Sequence, residues 1–505
     1  MTFDVVVVGG GGAGLAAAIE AAGGGARVCL VEKAPRLGGS TAWSVGSISV
    51  NRSAHQRLIG IDDDPQAHFE DLGRLAGPLV DRDNLVLRRL LVEHVTETFE
   101  WLERHGLVFV GPFDEPPHRV PRMHNVVPGS RAFPERLGRA ARAAGVEIRL
   151  RTRANALVVD DGRVVGVRVE APGSVAKTLR AERGVVLAGG DYSAAPALLA
   201  ELAGEEAARL APVNPDATGD GLALGRTVGA TVRNGDLVRG PVMRFVPPPR
   251  RALLDRVPVH PLLARAVRAG FEHLPPRVLR PFVMRFLTTA LGLSGGLLEA
   301  GAILVNAEGE RFADERARPA AATARQPGGL AWVLLDDALA GRFEAWPGFV
   351  STAPGIAYAY LADYRRARPD VCRRGRDVAA LGSAAGLPGV ALARTVARYN
   401  AGDADTLGRP RLERAPFHLL GPVRAYVAFT EGGLVVNERL QVLDAGGRPI
   451  PGLLAAGSNG QGGLLLEGHG HHLGWAFVSG RLAGRHAAGG GDEAGGSEHA
   501  EAARS

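Results

Sequence analysis

The chain opens on an apolar run, Phe3 to Val8, crosses Gly9-Gly10-Gly11-Gly12-Ala13-Gly14, and continues through Leu15 to Ala22 with Glu20 as its one charge. A second apolar run, Val28 to Val31, ends at Glu32. Short apolar runs closed by glycine predict buried strands, and the small-residue stretch between them predicts a helix. From Asp64 to Gly106, Leu72, Leu75, Leu79, Leu87, Leu91, Val95, Phe99 and Leu102 recur at three- and four-residue spacing and predict core-facing helix. Val146 to Leu150, Ala156 to Asp160 and Val164 to Glu170 alternate around Asp161-Gly162-Arg163, the pattern of a β meander. Val185 to Leu187 predicts a buried strand ending at Ala188-Gly189-Gly190, and Gly301 to Phe312 predicts a hairpin with an acidic turn. Near the C-terminus a strand from Gly432, a hairpin over 442–453 and a strand running into Gly457 precede a helix from Trp475 to Ala488. That helix is opened by Gly468-His469-Gly470-His471-His472-Leu473-Gly474. Strands and helices alternate at both ends of the chain, which predicts the α/β class.

The 69 glycines cluster toward both ends. Gly9, Gly11 and Gly14 have G-x-G-x-x-G spacing between a strand and a helix, with the carboxylate of Glu32 closing the next strand; in that context the motif predicts dinucleotide binding. Bare backbone at Gly9 and Gly11 lets a pyrophosphate reach the helix N-terminus, where unpaired N–H groups and the helix dipole favour an anion. Glu32 is placed to accept from ribose hydroxyls. The loop Gly38-Gly39-Ser40-Thr41 lets backbone lie flat along a further part of a long cofactor, a pattern that resembles FAD proteins more than NAD proteins. Gly189-Gly190 and the Gly468–Gly474 turn are two more places where bare backbone meets a ligand, the latter at a second helix N-terminus.

At 505 residues, 46% apolar and 22% charged, the chain is long enough for a full core in one large or two to three ordinary domains, and disorder is excluded as its main state. Two cysteines, Cys29 and Cys372, cannot build a disulfide framework and suggest a reducing compartment. No charged leader with an apolar segment opens the chain, and no apolar stretch reaches the roughly 18 residues of a membrane helix, so a cytoplasmic location is expected. The net charge of +6 is scattered and aromatics are only 5%, so no nucleic-acid partner is expected. Residues 241–293 differ from the rest: they are proline-rich, and Arg244 to Arg285 hold nine arginines against Asp255 and Glu272, a net +7. Their apolar residues alternate with the arginines in short amphipathic helices, which leaves two readings open. One is a peripheral contact with anionic lipid; the other is a mobile lid with solvated arginines. Gly489 to Ser505 is predicted to be a disordered tail.

The dinucleotide turn, Gly38-Gly39-Ser40-Thr41, Leu187-Ala188-Gly189-Gly190, Thr218-Gly219-Asp220-Gly221, Glu310-Arg311-Phe312, Thr430-Glu431-Gly432-Gly433 and Ala455-Ala456-Gly457 together resemble the flavoprotein superfamily of fumarate reductase, succinate dehydrogenase and the 3-ketosteroid dehydrogenases. The resemblance implies a Rossmann-like FAD-binding domain, with a glutathione-reductase-like βαβ unit and β meander, formed by residues 1–235 and 426–488. Residues 236–425 would be an inserted α+β catalytic or capping domain. It implies FAD at Gly9, Gly11, Ala13, Gly14, Glu32, Lys33, Gly38, Gly39, Ser40, Thr41, Ala188, Gly189, Gly190, Asp220, Gly457, Ser458, Gly470 and Leu473. The flavin-linking histidine of succinate dehydrogenases is absent from Gly38 to Ser47, so attachment is expected to be non-covalent. The chain departs from the family elsewhere. Arg239-Gly240-Pro241 stands where fumarate reductases have His-Pro, Ala428-Phe429 replaces paired histidines, His472 falls on the substrate-binding arginine, and Leu466 on the ketosteroid dehydrogenase tyrosine.

The resemblance implies hydride transfer between flavin and a C–C bond beside a carbonyl, in a cyclic ketone, steroid-like ketone or unsaturated acid, with an unidentified electron donor or acceptor. His471 and His472 are the foremost candidates to carry the proton, because imidazole titrates near neutrality and a helix N-terminus favours its neutral form. Arg122 and His124 lie in a loop whose arginines suit a substrate carboxylate. Glu431 is a candidate to orient a histidine, and Tyr426 to donate to an enolate. A metal at the His469–His472 cluster is not expected, since adjacent helix residues face apart. Two rival readings remain: an FAD oxidase reducing O₂, and a flavin-bearing peripheral-membrane binding protein without turnover.

Overall fold

A computed structural model describes residues 1–248 and 259–489. The expected tail from residue 490 onward, and Arg250, Arg251, Asp255 and Arg256 of the arginine-rich segment, lie outside the described residues. The opening forms β1 (Thr2–Val8), α1 (Gly12–Gly23) and β2 (Val28–Val31). β1 sits inside an eight-stranded sheet, parallel to β2 on one side and to Lys177–Leu187 on the other, with Val7 opposite both Leu30 and Val186. Pro449–Ala455 then pairs in parallel with Lys177–Leu187, so both ends of the chain meet in one sheet. Val5, Val6 and Val7 and all of β2 are buried, as parallel strands covered on both faces require. The meander is present as Arg153–Asp160, Arg163–Glu170 and Lys177–Leu187, paired antiparallel; the first strand expected for it, Val146 to Leu150, instead gives Glu147–Arg149, which pairs in parallel with β2.

α1 is built of small residues because it packs against the last helix, His471–Ala488, almost backbone to backbone. A Cβ on Gly480 would stand 2.3 Å from the Ala13 carbonyl oxygen, and one on Gly484 would stand 2.2 Å from that of Ala17. Residue 13 meets 480 and residue 17 meets 484, so the two helices run parallel and their N-termini emerge at the same end of the sheet.

A second sheet centres on Phe417–Val427, which pairs with Leu330–Leu335, Val242–Phe245, Cys372–Gly375 and Ala211–Pro212, with Ile303–Val305 at the edge. Its core includes Phe245, Leu304, Val333, Leu335, Leu420 and Val423. The stretch read as helical from Asp64 to Gly106 is two helices, Pro65–Ala76 and Leu85–Arg104, divided at Gly77 (φ +53°) before Pro78. The hairpin expected over Gly301 to Phe312 keeps only Ile303–Val305 as strand; its return leg makes a single bridge, Val305 to Arg311, because the strand's real partner is Leu330–Leu335. The arginine-rich segment folds into two helices, Pro261–His273 and Pro276–Ala290. Among the described residues no helix is long and apolar enough to cross a membrane.

Candidate functional site

A cavity of about 2680 Å³ runs from the C-terminal end of β1 to the second sheet. A drug-sized ligand needs about 300–1,000 Å³, so this volume holds an extended molecule with another beside it. Gly9, Gly11 and Ala13 line one end. The glycines there do different jobs. A Cβ on Gly14 would lie 1.9 Å from the Gly9 carbonyl oxygen, and one on Gly9 2.3 Å from that of Ala188; these positions pack the turn. Gly14 accordingly does not reach the lining. At Gly11 the nearest atom to such a Cβ is 3.8 Å away, so its bare face opens on the cavity. No side chain caps α1 at Gly11, which leaves first-turn N–H groups for an anion.

Glu32 and Lys33 follow at the end of β2. Glu32 accepts from the Gly10 and Ala34 amides, each at 2.7 Å; burial raises its pKa, with both amides opposing. Lys33 Nζ lies 3.1 Å from Asp220, which also pairs with Arg153 at 2.8 Å, so the charges at this rim offset one another. Gly39, Ser40 and Thr41 line the wall, and Thr41 Oγ1 accepts from the Gly12 amide at 3.0 Å. Gly38 lies behind them, donating its N–H to the Gly10 carbonyl at 2.9 Å and fixing the loop to the turn. Ala188, Gly189, Gly190, Gly457 and Ser458 complete this half. Asn459, which the sequence reading missed, clamps the two glycine-ended strands: its Oδ1 accepts from the Gly189 N–H at 2.6 Å and its Nδ2 donates to the Gly190 carbonyl at 3.0 Å.

Gly470, His472 and Leu473 bring the uncapped N-terminus of the last helix to the same cavity. Gly470 is required there, at φ +91° with the Ser49 amide only 2.4 Å from a Cβ. His471 is placed differently from His472, because successive helical residues point about 100° apart. It is fully buried: Nδ1 donates to the Glu467 carbonyl at 2.6 Å and Nε2 lies 3.3 Å from His68 Nε2. His118 completes a three-histidine cluster. Burial is the main cause that drives His68 and His471 well below the ordinary imidazole range and His118 to about 4, so all three are neutral at pH 7. The donor set does not suit a metal. His68 Nδ1 faces the Asn51 amide nitrogen at 3.1 Å, and His118 Nδ1 faces the Arg122 guanidinium at 2.9 Å. A metal-bound imidazole needs an acceptor at its other nitrogen.

Arg122 and His124 are likewise corrected by the structure. Arg122 is fully buried outside the cavity, forked onto Asp63 at 2.6 and 2.7 Å and bonded to Asp71 at 2.5 Å. In the strand Met123–Val127, every residue but His124 lines the cavity, and His124 is fully buried behind it. There it bonds Ser53 and the Arg122 carbonyl, and burial lowers it to about 3.

Arg239, His472 and Tyr426 do line the far end of the cavity. Glu431 lies just behind them, 3% exposed. It pairs with Arg239 Nε at 3.2 Å, bonds Gln461, and sits 3.4 Å from His472 Nε2, near enough to attract charge but without hydrogen-bond geometry. Burial alone would raise the Glu431 carboxyl, but His472 and Arg239 outweigh it and hold it below its usual value. Arg239 is also paired with Glu467. Phe429 packs on the His472 ring at 4.0 Å. The Tyr426 hydroxyl makes no hydrogen bond with a described residue, and burial raises its pKa. Arg239 and Arg244 were not singled out from sequence; their signal is an arginine in an otherwise apolar strand-like run.

Residues 4–248 and 266–464 match the model of the FAD binding domain family. The chain belongs to this family. A probable fumarate reductase of Shewanella frigidimarina is 28% identical over 484 residues, 92% of this chain and 71% of the relative. Among solved structures, the open conformation of a flavocytochrome c3 fumarate reductase is similar with a TM-score of 0.72 and 26% identity, over 97% of this chain and 78% of that one. A 3-ketosteroid-Δ4-(5α)-dehydrogenase from Rhodococcus jostii RHA1, in complex with 4-androstene-3,17-dione, is similar at 0.58 and 26%, over 96% and 97%. The lining suits FAD on its own chemistry: Gly11 opens a gap a side chain would fill, and two uncapped helix N-termini offer donors for a pyrophosphate at one end and an electron-rich ring at the other.

Proposed function

We propose that this FAD-dependent oxidoreductase acts on the C–C bond next to a carbonyl in a cyclic ketone, steroid-like ketone or unsaturated acid, with its FAD held non-covalently. The observation that carries the reading is that Arg239, Tyr426 and His472 line the same cavity as the glycine cradle contributed by both chain ends. FAD, when bound, supplies hydride exchange; the chain supplies the rest. The Tyr426 hydroxyl, free of protein partners, donates to the substrate carbonyl oxygen and polarises it. His472 holds or delivers the proton at the carbon beside it. Glu431 positions both His472 and Arg239, and Phe429 fixes the plane of the imidazole. We further propose that residues 1–235 and 426–488 form the FAD lobe and residues 236–425 the lobe over the reacting carbons, which the two sheets support. Non-covalent attachment is supported by the absence of His and Cys from Gly38 to Ser47, and a cytoplasmic location by two buried free thiols, Cys29 and Cys372.

The test is anaerobic titration of the yellow protein with 3-ketosteroids, cyclohexanone carboxylates and fumarate, following the flavin band. Bleaching of the oxidised form or restoration of the reduced form by one of these classes is expected. A flavin that none of them reduces or reoxidises would refute the reading. Peroxide release in air would mark an oxidase. As for lipid contact, Val267 and Leu287 of the two arginine-rich helices line the cavity, but Leu262, Leu274, Val278 and Phe282 stay exposed, so a peripheral lipid contact through these helices is kept as the second reading.

A further inference from the structure

Among the described residues Arg244 is a cation without a counter-ion. It lies on the strand Val242–Phe245, where Val242, Arg244 and Phe245 line the cavity, while Met243 and Phe245 are also packed into the core of the second sheet. Val242 is paired across the strands with Tyr426, so Arg244 is one step along the same face from the tyrosine. Its guanidinium makes no hydrogen bond or ion pair with a described residue, and its Nε is buried and unpartnered. Burial pulls its pKa down, and Tyr426 alone opposes that. Of the neighbouring cations, Arg239 is matched by Glu431 and Glu467 and Arg368 by Asp370 at 2.8 Å, whereas Arg424, opposite Arg244 across the strands, bonds only the Gly328 carbonyl among the described residues and adds a like charge. Beside it, Val267, Phe271, Leu279, Phe282, Val283 and Leu287 of the two arginine-rich helices form an apolar wall.

A guanidinium held in apolar surroundings without a partner is costly unless a ligand brings the opposite charge. The FAD pyrophosphate is not that charge, because its cradle lies at α1 on the other sheet. We propose that the substrate is an apolar carboxylate, its anionic group forked by Arg244 and its ring or chain laid along the wall of the two arginine-rich helices. The planar pair of N–H donors matches a carboxylate. This rests on the reading of the cavity as the substrate site, and it names the substrate class within that reading.

The experiment titrates the FAD-loaded protein with 3-oxo-4-androstene-17β-carboxylate and with cinnamate, each against its methyl ester, reading the flavin difference spectrum. The acid of at least one pair is expected to bind about ten- to a hundred-fold more tightly than its ester, as a charged hydrogen-bonded pair provides. Arg244→Met should abolish that preference by weakening the acid alone, and Arg244→Lys should keep part of it. Equal affinity of acid and ester for the wild-type protein, a preference that survives in Arg244→Met, or no response to either acid would each overturn the proposal. The wild-type comparison needs no variant, so misfolding of Arg244→Met leaves it decisive. A protein that takes up no FAD would instead refute the flavin reading, and equal binding of acid and ester by a yellow protein refutes only the carboxylate.

Discussion

Replacing Arg122 with methionine separates a substrate clamp from a structural ion cluster. Arg122 has no exposed surface and makes three charged bonds, two to Asp63 and one to Asp71, besides one to His118 Nδ1. In Arg122→Met, Asp63 keeps only the Gln56 side chain and the Asp64 amide, while Asp71 keeps Arg119 and Arg74. Removing one partner from a buried ion pair costs about 3–5 kcal/mol, because the charge left behind has no compensation. At about 2.1 cal/mol/K per residue, unfolding of this chain as a unit carries an entropy of about 1 kcal/mol/K, so the midpoint should fall by about 3–5 °C. The double variant Asp63→Asn/Arg122→Met removes the stranded charge and should recover at least half of that loss.

The measurement is thermal unfolding by far-UV circular dichroism, at fixed FAD concentration and scan rate, since both move the midpoint. The pH dependence gives a second check. Burial would raise the Asp71 carboxyl, but its bonds to Arg122 and Arg119 hold it below its usual value. Its stabilisation is therefore present above the unfolded carboxylate pKa of about 3.9 and is lost as pH falls through the lower folded value, and the gap between wild type and Arg122→Met should narrow there. A midpoint change under about 1 °C, or a double variant no better than the single, would refute the argument. A variant of unchanged midpoint that loses affinity for a carboxylate probe would restore Arg122 to the substrate site.

Other outcomes follow from the same geometry. Gly11→Ala should fold yet lose FAD, because its Cβ enters open cavity, whereas Gly14→Ala should fail to fold, because its Cβ would lie 1.9 Å from a carbonyl oxygen; absorbance at the flavin band against soluble yield separates the two. Glu431→Gln should retain FAD but lower kcat about ten-fold or more, with a changed pH–rate profile, since the charge fixing His472 and Arg239 is gone. His118, held near 4, stays neutral in the folded protein while the unfolded chain takes up a proton below about 6.5. His118 alone should therefore lower stability by about 3 kcal/mol between about pH 6.5 and 4, a share of the slope that His118→Gln should remove in urea unfolding.

What was legible in the chain was whatever the backbone alone dictates. Gly9 and Gly14 announce the turn because no other residue fits there, Gly11 leaves its face bare for a ligand, and the small residues of α1 announce a helix packed at close range. Side-chain roles were legible only where one element decided them. His471 and His472 look equivalent in sequence, but helical rotation sends one to the cavity and the other to His68, which lies 403 residues away along the chain. Arg122 looked like a free fork in a loop, and its partners Asp63 and Asp71 are brought to it only by tertiary packing. The arginine-rich segment showed amphipathic period but not what its apolar face would meet. The family's histidines are replaced at Gly240-Pro241 and Ala428-Phe429. In the structure Arg239, Glu431 and Glu467 form a charged network behind the same end of the cavity, and Arg244 stands outside that network with its charge still to be answered.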